Sequence, residues 1–112
     1  MPISVQVLDT VHGRPASGVA MRLERSDGRD SVVVDTAVTD EAGRVGATDW
    51  KDPGAGSFRL VVDARRFYAL LGLRNAHGEL TIAFDVRTAT LEQHIPILLA
   101  PFGYSTYIGS TI

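Results

Sequence analysis

Proton transfer near neutral pH is the chemistry this sequence is best equipped to perform. His12, His77 and His94 are the groups that could carry it, since an imidazole titrates near pH 6.5. Their spacing fits no metal-ligand pattern. The absence of cysteine removes disulfides and thiolate chemistry from consideration. His12 falls in His12-Gly13-Arg14-Pro15 and His77 in Asn75-Ala76-His77-Gly78, both turn-forming sequences that predict solvated side chains. His94 stands in an apolar extended segment, where it reads either as a strand histidine hydrogen-bonded at a subunit interface or as an acid–base group. Ser110 has no nucleophile elbow around it and does not read as an attacking serine. Trp50 precedes the Lys51-Asp52-Pro53 loop, placed either to cover a site mouth or to pack beneath it.

Short strands separated by turn signals must position these groups, the pattern of a β-sandwich. Ile3, Val5 and Val7 alternate with Ser4 and Gln6, so Gln6 and Leu8 share one face of a first strand. Val19 to Arg25 predicts a second strand and Asp27-Gly28 a hairpin turn. Ser31 to Thr39 is β-branched and extended, and Asp40 to Gly43 turns the chain before Arg44. Phe58, Leu60 and Val62 alternate with polar neighbours, as do Leu80, Ile82, Phe84 and Val86. Between them lies one helix candidate, capped by Asp63, stopped by Gly72, with Phe67, Leu70 and Leu71 as its apolar stripe. Two last strands, about residues 91–100 and 104–109, flank Pro101-Phe102-Gly103. On their faces His94, Pro96 and Leu98 share one side, as do Ser105, Tyr107 and Gly109, with Ile108 on the opposite parity.

Bulk properties narrow the function classes. The 112 residues suit one domain, residues 1–112, whose small core favours self-association as the extra source of stability. A net charge of −2 gives no basic stripe for nucleic acid or an anionic membrane. Arg65-Arg66 is the sole adjacent basic pair and reads as a solvated helix face. No apolar run approaches the ~20 residues of a membrane span, and the N-terminus has no signal-peptide pattern, so a cytoplasmic, bacterial setting is expected.

Three separated stretches, in order, resemble the transthyretin/5-hydroxyisourate hydrolase family. They are Val7-Leu8-Asp9-Thr10 through Gly13-Arg14-Pro15-Ala16, the turn Thr39-Asp40-Glu41-Ala42-Gly43-Arg44, and the run from His94-Ile95-Pro96 to Tyr107-Ile108-Gly109-Ser110. The resemblance implies an all-β, transthyretin-like sandwich of about eight strands, Greek-key in type, with one short helix after the fifth strand. It also implies a homotetramer built as a dimer of dimers, with Gln6, Leu8, Pro96, Leu98 and Ser105 as substrate-binding candidates along its channels and Ile108, of the other parity, as one that acts through packing near the strand end. Family hydrolases open the ring of 5-hydroxyisourate without metal or cofactor, so no cofactor is expected here.

Four polar positions carry the family's activity, and they transfer unequally. The turn arginine is Arg44, and the histidine before Ile-Pro is His94. The first-strand histidine is replaced by Gln6. The closing Tyr-Arg-Gly-Ser keeps Tyr107, Gly109 and Ser110 but has Ile108 where the arginine stands, and Thr111 and Ile112 follow it. His94 is then the remaining acid–base group, Arg44 a clamp for an anion or carbonyl, and Tyr107 and Ser110 hydrogen-bond donors. Glutamine can orient a substrate but cannot take its proton. Loss of one acid–base group costs ~10²–10⁴ in rate, and loss of an oxyanion donor a further ~10²–10³. The expectation is a diverged, cofactor-free enzyme acting on a small polar cyclic compound by hydrolysis, cyclisation or isomerisation. The alternatives are a genuine 5-hydroxyisourate hydrolase and a small-ligand binding protein.

Overall fold

A computed structural model describes residues 3–87 and 92–110, the side chain of Ser110 excepted. Leu91, Thr111 and Ile112 lie outside the described residues.

Alternating apolar and polar residues along most strands let each of two sheets bury one face. In the first sheet β1 (Ile3–Asp9) lies at the centre, pairing in parallel with β8 (Gln93–Ala100). The short strands β2 (Arg14–Pro15) and β5 (Arg44–Val45) pair antiparallel with β1, while β9 (Gly103–Thr106) and β10 (Gly109–Ser110) pair antiparallel with β8. The second sheet has the order β4–β3–β6–β7, from β4 (Ser31–Val38), β3 (Ala20–Ser26), β6 (Gly56–Val62) and β7 (Leu80–Val86). Ile3, Val5, Val7, Ile95, Ile97 and Leu99 project from the first sheet into the core. Leu23, Phe58, Leu60 and Val62 meet them from the second. Each such side chain contributes about 1.5–3 kcal/mol through burial, and together they lock the β1–β8 register. A slip of one residue would move Ser4 and His94 into the core.

The two-sheet, all-β arrangement with one helix matches expectation, and the details differ where distant contacts decide. Arg14-Pro15 is a short strand as well as a turn, because it pairs with Leu8 and Asp9. Pairing of short segments raises the strands before helix α1 (Ala64–Leu70) to six rather than five. Asp63 caps α1 as expected, accepting from the Arg66 N–H at 3.2 Å, and Gly72 follows the last turn at φ 73°. The buried face is Ala64 and Tyr68; of the expected Phe67–Leu70–Leu71 stripe, Phe67 packs half-buried against the core, while Leu71 and Leu70, the latter by 73%, are exposed. The Tyr68 hydroxyl determines this orientation, donating to Asp9 Oδ1 (3.0 Å) and the Leu99 carbonyl (2.9 Å) beneath the helix.

His77 also departs from its expected solvated state. It is 7% exposed, stacked on Tyr68, with Nε2 hydrogen-bonded to the Ala100 carbonyl at 2.5 Å. Its turn is folded back over the end of β8. His12 is exposed but not merely solvated, since its Nδ1 lies 2.6 Å from the buried Asp9 carboxylate. Burial would raise the Asp9 pKa, but hydrogen bonds from His12, the Val11 N–H and Tyr68 outweigh it and hold the carboxyl below its ordinary value. Of the two readings of Trp50, packing is the observed one. The indole is buried and its Nε1–H donates to the Ile3 carbonyl at 2.7 Å.

Candidate functional site

The outer face of the first sheet gathers the candidate residues in three successive rungs. Partners across a ladder sit about 4.8 Å apart and project to the same side. The first rung holds Ser4, His94 and Gly109. The second holds Arg44, Gln6 and Pro96. The third holds Pro15, Leu8, Leu98 and Ser105. The expected shared faces of Gln6 with Leu8, and of His94 with Pro96 and Leu98, are therefore one continuous surface.

Pro96 shapes this surface because it has no N–H to give to a ladder. Edge pairing to β8 runs through Thr106 opposite Ile97, stops, and resumes with Gly109 opposite His94. Tyr107 and Ile108 thus lie across from Pro96 and Ile95 without ladder pairing, and the Thr106 hydroxyl donates to the Pro96 carbonyl at 2.8 Å instead. Tyr107 is 68% exposed. Ile108, facing the fully buried Ile95 in register, is 38% exposed.

Arg44 is delivered to the face by a turn that requires glycine. Gly43 sits at φ 73°, and a Cβ there would lie 2.4 Å from the Val7 carbonyl oxygen. This close approach lets the Gly43 carbonyl accept from the Val7 N–H at 2.8 Å, fastening the turn onto β1. Asp40 Oδ1 completes it by accepting from the N–H groups of Ala42 and Arg44, each at 2.9 Å.

A cleft of about 330 Å³ opens between these elements, lined by Ser4, Arg44, Gly46, Ala47, Glu92 and His94 among others. His94 is half-buried, and its Nδ1 shares a 2.7 Å hydrogen bond with Ser4 Oγ. Arg44 is exposed, with its backbone engaged in the turn. Thus an imidazole, a guanidinium and the Glu92 carboxylate border one space, a set able to move a proton and hold a carbonyl or anionic oxygen. Pro96, Leu98, Ser105, Thr106 and Tyr107 line a separate depression of about 80 Å³. Tyr107 is therefore not in the wall shared by His94 and Arg44, and Gln6 and Leu8 line neither space. The backbone of Ser110 pairs with Gln93, and its side chain is outside the described part.

Ser4 is the member of this constellation that sequence reasoning did not single out. Its alternation with Val5 was visible, but the partner that gives it meaning lies 90 residues away. Among the described residues no group of three histidine, cysteine, aspartate or glutamate side chains gathers to hold a metal. A larger groove, about 470 Å³, crosses the outer face of the second sheet. Its guanidinium, Arg22, is already tied to Glu24 and Glu79 at 2.6 Å each, and it contains no histidine.

Comparison with known proteins agrees with the geometry. Residues 3–109 match the model of the HIUase/Transthyretin family. A probable 5-hydroxyisourate hydrolase of Caenorhabditis elegans is 34% identical, the alignment covering 96% of this chain and 81% of that protein. The 5-hydroxyisourate hydrolase 2 of Rhizobium meliloti is 35% identical over 96% of this chain and 95% of its own. Among solved structures, sea bream transthyretin in complex with thyroxine superposes with a TM-score of 0.91 at 25% identity, covering 99% of this chain and 97% of that one. The fold is accordingly a transthyretin-like β-sandwich, and the chain belongs to the HIUase/transthyretin family.

Proposed function

We propose that this chain is a cofactor-free enzyme diverged from the 5-hydroxyisourate hydrolases. It acts on a small polar cyclic compound by hydrolysis, cyclisation or isomerisation, in the cleft between β1, β5 and β8. The observation that carries this reading is a shared cleft wall containing both Arg44 and a Ser4-anchored His94, while Gln6 holds the first-strand histidine position. His94 takes or gives the single proton the reaction requires. Arg44 holds the carbonyl or anionic oxygen on which charge develops; Tyr107 lines the separate depression and takes no part in this step. With Gln6 and Ile108 in place, the site lacks the second acid–base group and the second guanidinium of the family's hydrolases. A role in secondary metabolism, in the cytoplasm, would account for the broken ureide pattern.

Assembly as a homotetramer is part of the same proposal. Leu98, Phe102 and Tyr104, on or beside the edge strand β9, are exposed on the single chain, Phe102 by 74%. Large apolar residues left exposed along a sheet edge suit an association surface. Two other readings have support: the names of the 32–35% identical relatives favour a genuine 5-hydroxyisourate hydrolase, and the superposition on a transthyretin–thyroxine complex favours a ligand carrier.

Turnover of cyclic amides, lactones and hydantoins by the wild type, His94→Ala and Arg44→Ala separates these readings. His94→Ala is expected to lower kcat by ~10²–10⁴, and Arg44→Ala to raise KM while also lowering kcat. A compound bound equally well by His94→Ala and never turned over by the wild type identifies a carrier. Turnover untouched by both substitutions overturns the site.

A further inference from the structure

The pairing of Ser4 with His94 goes further than holding two strands together. Both residues project from the outer face of the first sheet, and each is fixed by core neighbours: Ile3 and Val5 flank Ser4, Ile95 follows His94, and all three are essentially fully buried. The serine side chain has one rotatable bond to its oxygen, so a 2.7 Å contact to Nδ1 fixes the imidazole plane. Which ring nitrogen carries the proton is set by the hydrogen bond made by the other. A hydroxyl can accept from Nδ1–H or donate to its lone pair. The partner is neutral, so it orients the ring without the charge of a carboxylate, which would favour the imidazolium form.

We propose that Ser4 is a positioning residue, accepting a hydrogen bond from Nδ1–H of neutral His94 so that Nε2 is left unprotonated for proton abstraction in the cleft. This rests on the reading of His94 as the acid–base group. The half-buried setting of Ser4 leaves its own hydroxyl hydrogen free to reach solvent or ligand. No second histidine or carboxylate is needed to set the tautomer. The loss of a histidine at Gln6 therefore leaves His94 competent as a single base.

The test is nitrogen NMR of the His94 ring in the full, isotopically labelled chain, above the pH at which the ring becomes neutral. Wild type is expected to hold the proton on Nδ1. Ser4→Ala should lower the Nδ1–H to Nε2–H ratio by about fivefold, the factor equivalent to one neutral hydrogen bond. Ser4→Thr should restore it, and Ser4→Val, which suits a strand and lacks the hydroxyl, should behave as Ser4→Ala does. A wild-type ring protonated on Nε2, or a ratio unchanged in both hydroxyl-free variants, overturns the proposal. The measurement uses no substrate, so it succeeds or fails separately from the turnover test of His94→Ala.

Discussion

Replacing Tyr68 with phenylalanine tests the network that holds β1, β8 and α1 in the arrangement on which the cleft depends. The Tyr68 ring is fully buried, so the substitution removes one hydroxyl and leaves the packing intact. Its proton is shared between Asp9 Oδ1 at 3.0 Å and the Leu99 carbonyl at 2.9 Å. Neither acceptor is orphaned: Asp9 keeps the Val11 N–H and His12, and Leu99 keeps the N–H and hydroxyl of Thr10. The cost is then one hydrogen bond to a charged group, about 2 kcal/mol at pH 7. Its pH dependence follows from Asp9, whose folded pKa lies below the ordinary value. A depressed carboxylate contributes stability above its unfolded pKa of about 3.9 and loses it as pH falls through the folded value. The gap between wild type and Tyr68→Phe should therefore narrow below about pH 4. Urea denaturation of both proteins, at matched concentration because assembly couples to stability, measures it. A difference under about 0.5 kcal/mol at pH 7, or one that does not change with pH, would refute the reasoning.

Two further substitutions probe the supports of the site. Gly43→Ala places a Cβ against the Val7 carbonyl at a positive φ, and should destabilise by at least about 2 kcal/mol. Thermal unfolding would show this, with Arg44-dependent binding weakened in any fraction that folds. Trp50→Phe leaves the Ile3 carbonyl without its indole donor; a loss of about 1–3 kcal/mol is expected in denaturant titration, and a neutral result would mean the carbonyl finds another donor.

What could be read from the sequence was what repeats locally. The alternation over residues 3–7 and Leu80–Val86 matches the observed burial residue for residue, and face-sharing among His94, Pro96 and Leu98 follows from the same period of two. The Asp63 cap and the Gly72 stop are local too. Properties set by distant partners escaped. His77 is buried because the Ala100 carbonyl and Tyr68 ring come to it, and Tyr68 rather than Leu70 faces inward because Asp9 and Leu99 lie beneath the helix. Ser4 looked like any polar strand residue until the parallel β1–β8 pairing put His94 beside it. The division of the site residues between two spaces depends on where Pro96 interrupts edge pairing, a three-dimensional consequence of one missing N–H.

The central claim is that His94 and Arg44 serve a reaction other than that of the family's hydrolases. Following the decay of freshly generated 5-hydroxyisourate by absorbance, with and without the protein, tests it most directly. Decay at the background rate is expected in the presence of wild-type protein. Acceleration by many orders of magnitude, abolished by His94→Ala, would contradict it and make the chain a 5-hydroxyisourate hydrolase that works with Gln6 and Ile108 in place.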